Sequence, residues 1–264
     1  MTVQDVTKIV LRDMTEDDIP AVADLCFEQQ WPHREEDLEK LLAIGGGLVA
    51  EADGKTCGTI MSWRFGQSFA MFGVIIVAGG TVLVNATDEG IPLYSKLGFV
   101  PMANILQHQG IAPVQPLVEL RPGERVRPMG AADAGVLDAL YSSATGMDRK
   151  AVLDALLADG NAVVLCREHV QTGFAVMRRF GRGWLIGPVV APDATGAKAL
   201  IAHWLGTQAG SFCRIDVPEA TGLGDWLEGV GLPEVGHVTR MAFGPAPVPG
   251  DDVAIFGLAA QALG

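Results

Sequence analysis

At 264 residues the chain has room for one large domain or two ordinary ones, and its 49% apolar content supports packed cores rather than disorder. A formal net charge of −12 argues against a nucleic-acid surface, which needs clustered Lys and Arg. Cys26, Cys57, Cys166 and Cys213 are scattered without a CxxC and read as small buried residues of a reducing compartment. The N-terminus has no apolar signal core, and the longest apolar run, Ala70 to Ala78, is too short to span a bilayer. The expectation is a cytoplasmic protein with no membrane partner.

In chain order, residues 8–13 read as a strand. Thr15 and Asp18 form an N-cap signature ahead of a helix with Ile19, Val22, Ala23, Leu25 and Cys26 on its apolar stripe. Trp31-Pro32 breaks that helix, and 34–43 forms a second one closed by Gly45-Gly46-Gly47. Strands follow at 48–52, 56–65, 69–77 and 81–86, the first two joined by the Asp53-Gly54 turn. A short helix at 90–97 and a strand at 99–107 complete the first half. The segment 111–123, with three prolines and a glycine, is the expected linker between a first domain at 1–110 and a second at 124–244. The second half is expected to run strand near Arg125, helices 131–143 and 148–158, strands 161–167, 171–180 and 183–190. Helix 194–209, strand 212–217, helix 222–229 and strand 235–243 follow, and an apolar tail helix at 253–263 lies within the last segment, 245–264.

The second half repeats the first. Arg12, Asp18, Leu25, Gly58 and Phe65 recur as Arg127, Asp133, Leu140, Gly173 and Phe180 at an offset of 115. Val84–Phe99 aligns with Val217–Leu232 at an offset of 133, so the first copy is about 18 residues short. The shortfall lies between Val77 and Thr81, where the second copy has a crossover helix. Three residues can turn a hairpin but cannot return the chain to the start of a parallel strand. Either a loop and helix are absent from this stretch as it stands, or the first copy has lost them. Absence is the expectation, because a clean loss would force an antiparallel pairing that the second copy contradicts.

Asn85-Ala86 followed by Ile91-Pro92-Leu93-Tyr94-Ser95-Lys96-Leu97-Gly98-Phe99 resembles the "N…A…LYxKLGF" segment of GCN5-related N-acetyltransferases. Leu11-Arg12-Asp13-Met14-Thr15 resembles the family's opening strand and helix cap. The resemblance covers nearly all of 8–109 and, more weakly, 125–243. It implies an α/β (α+β) fold of two tandem domains, each a mixed, mostly antiparallel sheet flanked by helices.

It also implies acetyl-CoA as cosubstrate and a small-molecule or peptide amine as acceptor. The family holds the pyrophosphate on a glycine-rich loop at the start of the crossover helix. The equivalent stretch of the second copy, Ala191 to Lys198, has one glycine in the critical region and Asp193 near the phosphate position, so that copy reads as degenerate. The active site is therefore expected in the first copy. There the amides of Ile75, Ile76 and Val77 would polarise the thioester, and Asn85 would meet the pantetheine arm. Tyr94 would contact the cofactor and protonate the departing thiolate, since a phenol is a weak acid suited to that role. Leu227 stands at the Tyr94 position of the second copy and cannot donate a proton.

Substrate contacts are assigned weakly to Trp31, Glu51 and His108, and the general base is left open among Glu51, Asp88, Glu89 and His108. The five histidines show no metal-ligand spacing, and no metal is expected. Monomer and homodimer both remain open. The alternative function is a non-catalytic acyl-CoA or metabolite-binding or scaffolding protein built from two decayed acetyltransferase folds.

Overall fold

The computed structural model describes residues 9–28, 33–65, 69–77, 81–114 and 116–263. Its elements follow the chain as β1 (Ile9–Asp13), α1 (Ile19–Glu28), α2 (Glu35–Ala43), β2 (Gly46–Ala52), β3 (Lys55–Phe65), β4 (Phe69–Val77), β5 (Val82–Ala86), α3 (Ile91–Lys96) and β6 (Val100–Ile111). The second half adds β7 (Glu124–Pro128), α4 (Ala134–Thr145), α5 (Lys150–Asp159), β8 (Gly160–Arg167), β9 (Val170–Phe180) and β10 (Gly183–Ala191). It ends with α6 (Ala194–Thr207), β11 (Phe212–Pro218), α7 (Gly224–Gly229), β12 (Glu234–Phe243) and β13 (Ala254–Gly257).

The chain divides into two compact units, Met1–Val82 and Leu83–Gly264. This differs from the expected domains at 1–110 and 124–244. The cause is hydrogen bonding: β5 and β6 belong to the sheet of the second half, which runs β5-β12-β6-β11-β10-β9-β8-β7 with β13 against β10. β6 lies between β11 and β12, antiparallel to both, with Phe212 opposite Ile111 and Val238 opposite Ile105. The sequence runs without interruption from Val77 to Thr81. Of this junction, 78–80 lie outside the described residues. β4 and β5 sit in different sheets. No ladder joins them among the described residues, so the junction makes neither a parallel nor an antiparallel pair.

The first unit is a four-stranded antiparallel sheet, β1-β2-β3-β4, carrying α1 and α2. Ile19, Val22, Leu25 and Cys26 of α1 and Leu38 of α2 bury against Val49, Met61, Trp63, Val74 and Ile76. Trp63 Nε1 donates to Leu41 O at 2.8 Å, giving a buried indole its partner. Gly45 lies so close to the Trp63 ring and to Ser62 O that any side chain there would overlap them.

In the second unit the sheet is covered on both faces. Val163, Leu165, Ala175, Met177 and Ile186 pack with Leu200, Ile201 and Leu205 of α6. Their neighbours Ala162, Val164, Phe174 and Val176 point the other way, to Leu137 and Tyr141 of α4 and Leu153 and Leu156 of α5. Two-sided burial is why these strands read as nearly continuous apolar runs. The expected tail helix is a strand: Ile255 and Phe256 are a β-branched and an aromatic residue, and sheet pairing with β10 overrides the helical preference of the Leu-Ala-Ala stretch that follows.

One device recurs in both halves. Arg12 holds Asp18 at 2.6 Å, and Arg127 holds Asp133 at 2.7 Å. Each aspartate also accepts a backbone N–H three residues before it, from Thr15 and Gly130. The repeat thus conserves a ring of charge that fixes the first strand to the start of the first helix.

Candidate active site and its relatives

β10, α6 and β11 form a parallel strand–helix–strand unit. In open α/β sheets, ligands sit in the crevice beyond the carboxyl ends of such strands, at the helix N-terminus. Here β10 and β11 pair through Trp184–Cys213 and Leu185–Arg214. Beyond that point β13 takes the place beside β10, with Val189 opposite Gly257, Val190 opposite Ile255 and Ala191 opposite Ala254. On its other side Leu258 N–H donates to Asp216 O of β11 at 2.8 Å. The chain's own tail therefore fills the wedge.

The fit is close. A Cβ on Gly187 would overlap Leu258 O, and one on Gly257 would stand 2.9 Å from Val189 Cγ2. The tail is also held by side chains from β9, from β5 and from the residue before α5. Arg178 donates to Ala259 O at 3.0 Å, Asn85 to Gln261 O, and Arg149 to Leu263 O at 2.6 Å. At the start of α6, Asp193 caps Gly196 N–H at 2.9 Å and pairs with Arg121 at 2.9 Å. A carboxylate thus already satisfies the helix end where an anionic ligand would bind. The residues of the second copy do not fit acetyl-CoA as they stand.

Each copy carries a bulge in its fourth strand. In β4 the register against β3 shifts between Thr59 and Met61, and Val74 has φ 47°, a rare conformation for a β-branched residue. In β10 the register against β9 shifts between Ile186 and Val189. The β10 bulge contains Pro188, which has no N–H to offer a carbonyl oxygen. The β4 bulge contains no proline.

The sequence-derived site residues fare unevenly. Ile76 is buried in the first unit's core, and Ile75 and Val77 contribute backbone to β4, Val77 opposite Gly58. Trp31 lies outside the described residues. Glu51 is held by Arg12 at 2.6 Å.

In the second unit, Tyr94 is half-buried on α3, edge-on to Phe99 at 5.4 Å, and its hydroxyl has no hydrogen-bond partner among the described residues. Asn85 is spent on the tail: besides Gln261 O it accepts from Arg240 Nε at 3.3 Å. His108 is wholly buried with Nδ1 2.9 Å from Leu232 O, so it packs inside the sheet rather than lining a cleft. Asp88 faces His237 at 3.3 Å. Glu89 is held below the usual carboxylate range by its own backbone N–H and the Thr87 hydroxyl.

Sequence reasoning missed the tail strand. The signals were present in Ala254-Ile255-Phe256-Gly257, a short apolar run ending in glycine after the Pro-rich 245–250. Among the described residues no group of His, Cys, Asp and Glu could hold a metal, and no helix is long and apolar enough to cross a membrane.

Comparison with known proteins agrees with this architecture. Residues 137–257 match the model of the acetyltransferase (GNAT) domain. The matched span ends at Gly257, the last residue of the tail strand. The uncharacterized N-acetyltransferase YitH of Bacillus subtilis (strain 168) is 25% identical over 276 residues, covering 94% of this chain and 96% of that protein. A candidate acetyltransferase of Pyrococcus horikoshii shares the fold, with a TM-score of 0.56 at 20% identity over 97% of this chain and 96% of that one. A GCN5-related N-acetyltransferase from Sphaerobacter thermophilus gives a TM-score of 0.49 at 14% identity, over 95% and 99% of the two chains.

Proposed function

We propose that the protein is an acetyl-CoA-dependent N-acetyltransferase that acylates a primary amine, and that the first copy of the repeat carries the reaction. The observation behind this reading is the occupied wedge of the second copy. β13 fills the space beside β10, Asp193 occupies the helix end, and Pro188 removes an amide from the bulge. The first copy has none of these three changes in its described residues.

In this mechanism the neutral amine attacks the thioester carbonyl carbon, and negative charge gathers on its oxygen. As the C–S bond breaks, the thiolate needs a proton, and in the second unit the Tyr94 phenol is the assigned donor. The amide product and free thiol leave, and the one proton lost by the amine nitrogen returns through solvent to restore the Tyr94 phenol.

The test is a thiol-release assay with a panel of primary amines, run beside a thermal melt with acetyl-CoA. Acetyl-CoA is expected to raise the melting temperature by mass action. Tyr94→Phe should keep that shift while slowing turnover by about 100-fold, the scale of a lost general acid. Absence of any shift at millimolar acetyl-CoA would sink the cosubstrate assignment. A shift with no thiol release from any amine would favour a binding or scaffolding protein instead.

A further inference from the structure

The second unit holds a cavity of about 570 Å³ between the ends of α5 and β9, the start of β11 and the tail. Three arginines line it, Arg178, Arg179 and Arg214, in a chain of net charge −12. Asp216 neutralises Arg214 at 2.9 Å. Neither Arg178 nor Arg179 has a carboxylate partner among the described residues. Arg178 gives one hydrogen bond to Ala259 O, lies over the Phe180 ring at 4.8 Å, and keeps its Nε buried and unpartnered. Arg179 is exposed and stacks on Trp184 at 4.5 Å. Asp159 is the acid among the lining residues.

A half-buried guanidinium with an unmet donor lacks the counter-charge that normally accompanies it, and a carboxylate is the group its planar fork matches. Setting Asp159 against the two uncompensated arginines leaves one positive charge. That matches a monoanion and not a phosphate dianion. The remaining wall includes Leu156 and Leu263, so the body of the ligand is apolar. We propose that this cavity binds a small carboxylate with a short apolar body, its head on Arg178 and Arg179. The site stands apart from the acetyl-transfer assignment and is tested by binding, not turnover.

The probe is butyrate, titrated into the full chain at constant ionic strength by saturation-transfer NMR, with the isosteric neutral butyramide and inorganic phosphate alongside. Butyrate is expected to bind saturably, with butyramide about tenfold weaker for want of the charge-assisted bond. Arg179→Gln, at an exposed position, should leave the ligand-free melting temperature unchanged and weaken butyrate by about five- to tenfold. Arg178→Lys keeps the charge but removes the planar fork, and should weaken butyrate similarly. Equal binding of butyrate and butyramide would overturn the proposal, as would wild-type affinity in Arg179→Gln. Tighter binding of phosphate than of butyrate would overturn the monoanion assignment.

Discussion

Gly257 lies opposite Val189 in the ladder that joins the tail to β10, and the space between them holds a hydrogen but not a methyl. A Cβ on Gly257 would stand 2.9 Å from Val189 Cγ2 and 3.4 Å from Ile215 Cδ1. The chain's last strand is thus seated between side chains of both strands that flank the wedge.

Replacing that glycine should therefore unseat the tail. Gly257→Val is expected to cost about 1–3 kcal/mol, because the stiff, buried Val189 can yield only by moving its backbone. Urea denaturation monitored by tryptophan fluorescence measures it, and an unchanged midpoint would show that the tail is not packed as described.

The tail also supplies core. Leu258 is 1% exposed and Ala259 fully buried. Leu258→Ala should destabilise the protein by about 2–5 kcal/mol, the range for emptying a buried leucine site. Limited proteolysis is then expected to cut near 253–263 sooner in the variant than in the wild-type chain.

Acid should weaken the repeated ion pair. The Arg127 guanidinium, opposed by burial and helped by the Gly130 N–H, holds Asp133 well below the usual carboxylate range. Its folded-state pKa lies below its unfolded one, so the pair stabilises fully above about pH 4 and less as the pH falls through the folded-state value. Asp133→Asn is expected to cost about 2–3 kcal/mol at pH 7, since Arg127 would lose its partner while keeping some solvent. The gap between variant and wild-type urea midpoints should narrow from pH 6 to pH 3. A constant gap would mean that the charge is not what matters.

Thiol reactivity should follow burial. Cys213 is wholly buried and its thiol is pushed up to about 11 by desolvation, and Cys26 is raised by the same cause. Cys57 is partly exposed. Iodoacetamide at pH 8 should label Cys57 first and reach Cys213 only after unfolding, because the thiolate is the reactive form. Peptide mass spectrometry reads the order directly, and early labelling of Cys213 would contradict the packed β11.

Most element limits were legible in the sequence because local period carries them. β4 and β9, for example, have the bounds 69–77 and 170–180, against 69–77 and 171–180 read from pattern and turns. Partnership was not legible. Nothing local to Val100–Ile111 says that it pairs with Phe212–Pro218 on one side and Glu234–Phe243 on the other, since strand pairing is fixed by long-range packing. The same limit hid the tail, whose Leu-Ala-Ala stretch favours helix until β10 offers an open edge. Of the candidate site, the residue types at Tyr94 and Asn85 could be read from the sequence, but the engagement of Asn85 with Gln261 could not.

The position of β6 decides where the chain can be divided. The repeat begins anew at about residue 124, but the second folding unit begins at Leu83, so duplication and folding are out of phase by roughly forty residues. A fragment starting at Glu124 would leave β11 and β12 as facing raw edges with their middle strand gone, whereas one starting at Leu83 would retain it. The second half of the repeat therefore cannot complete its sheet without a strand that lies in the first half.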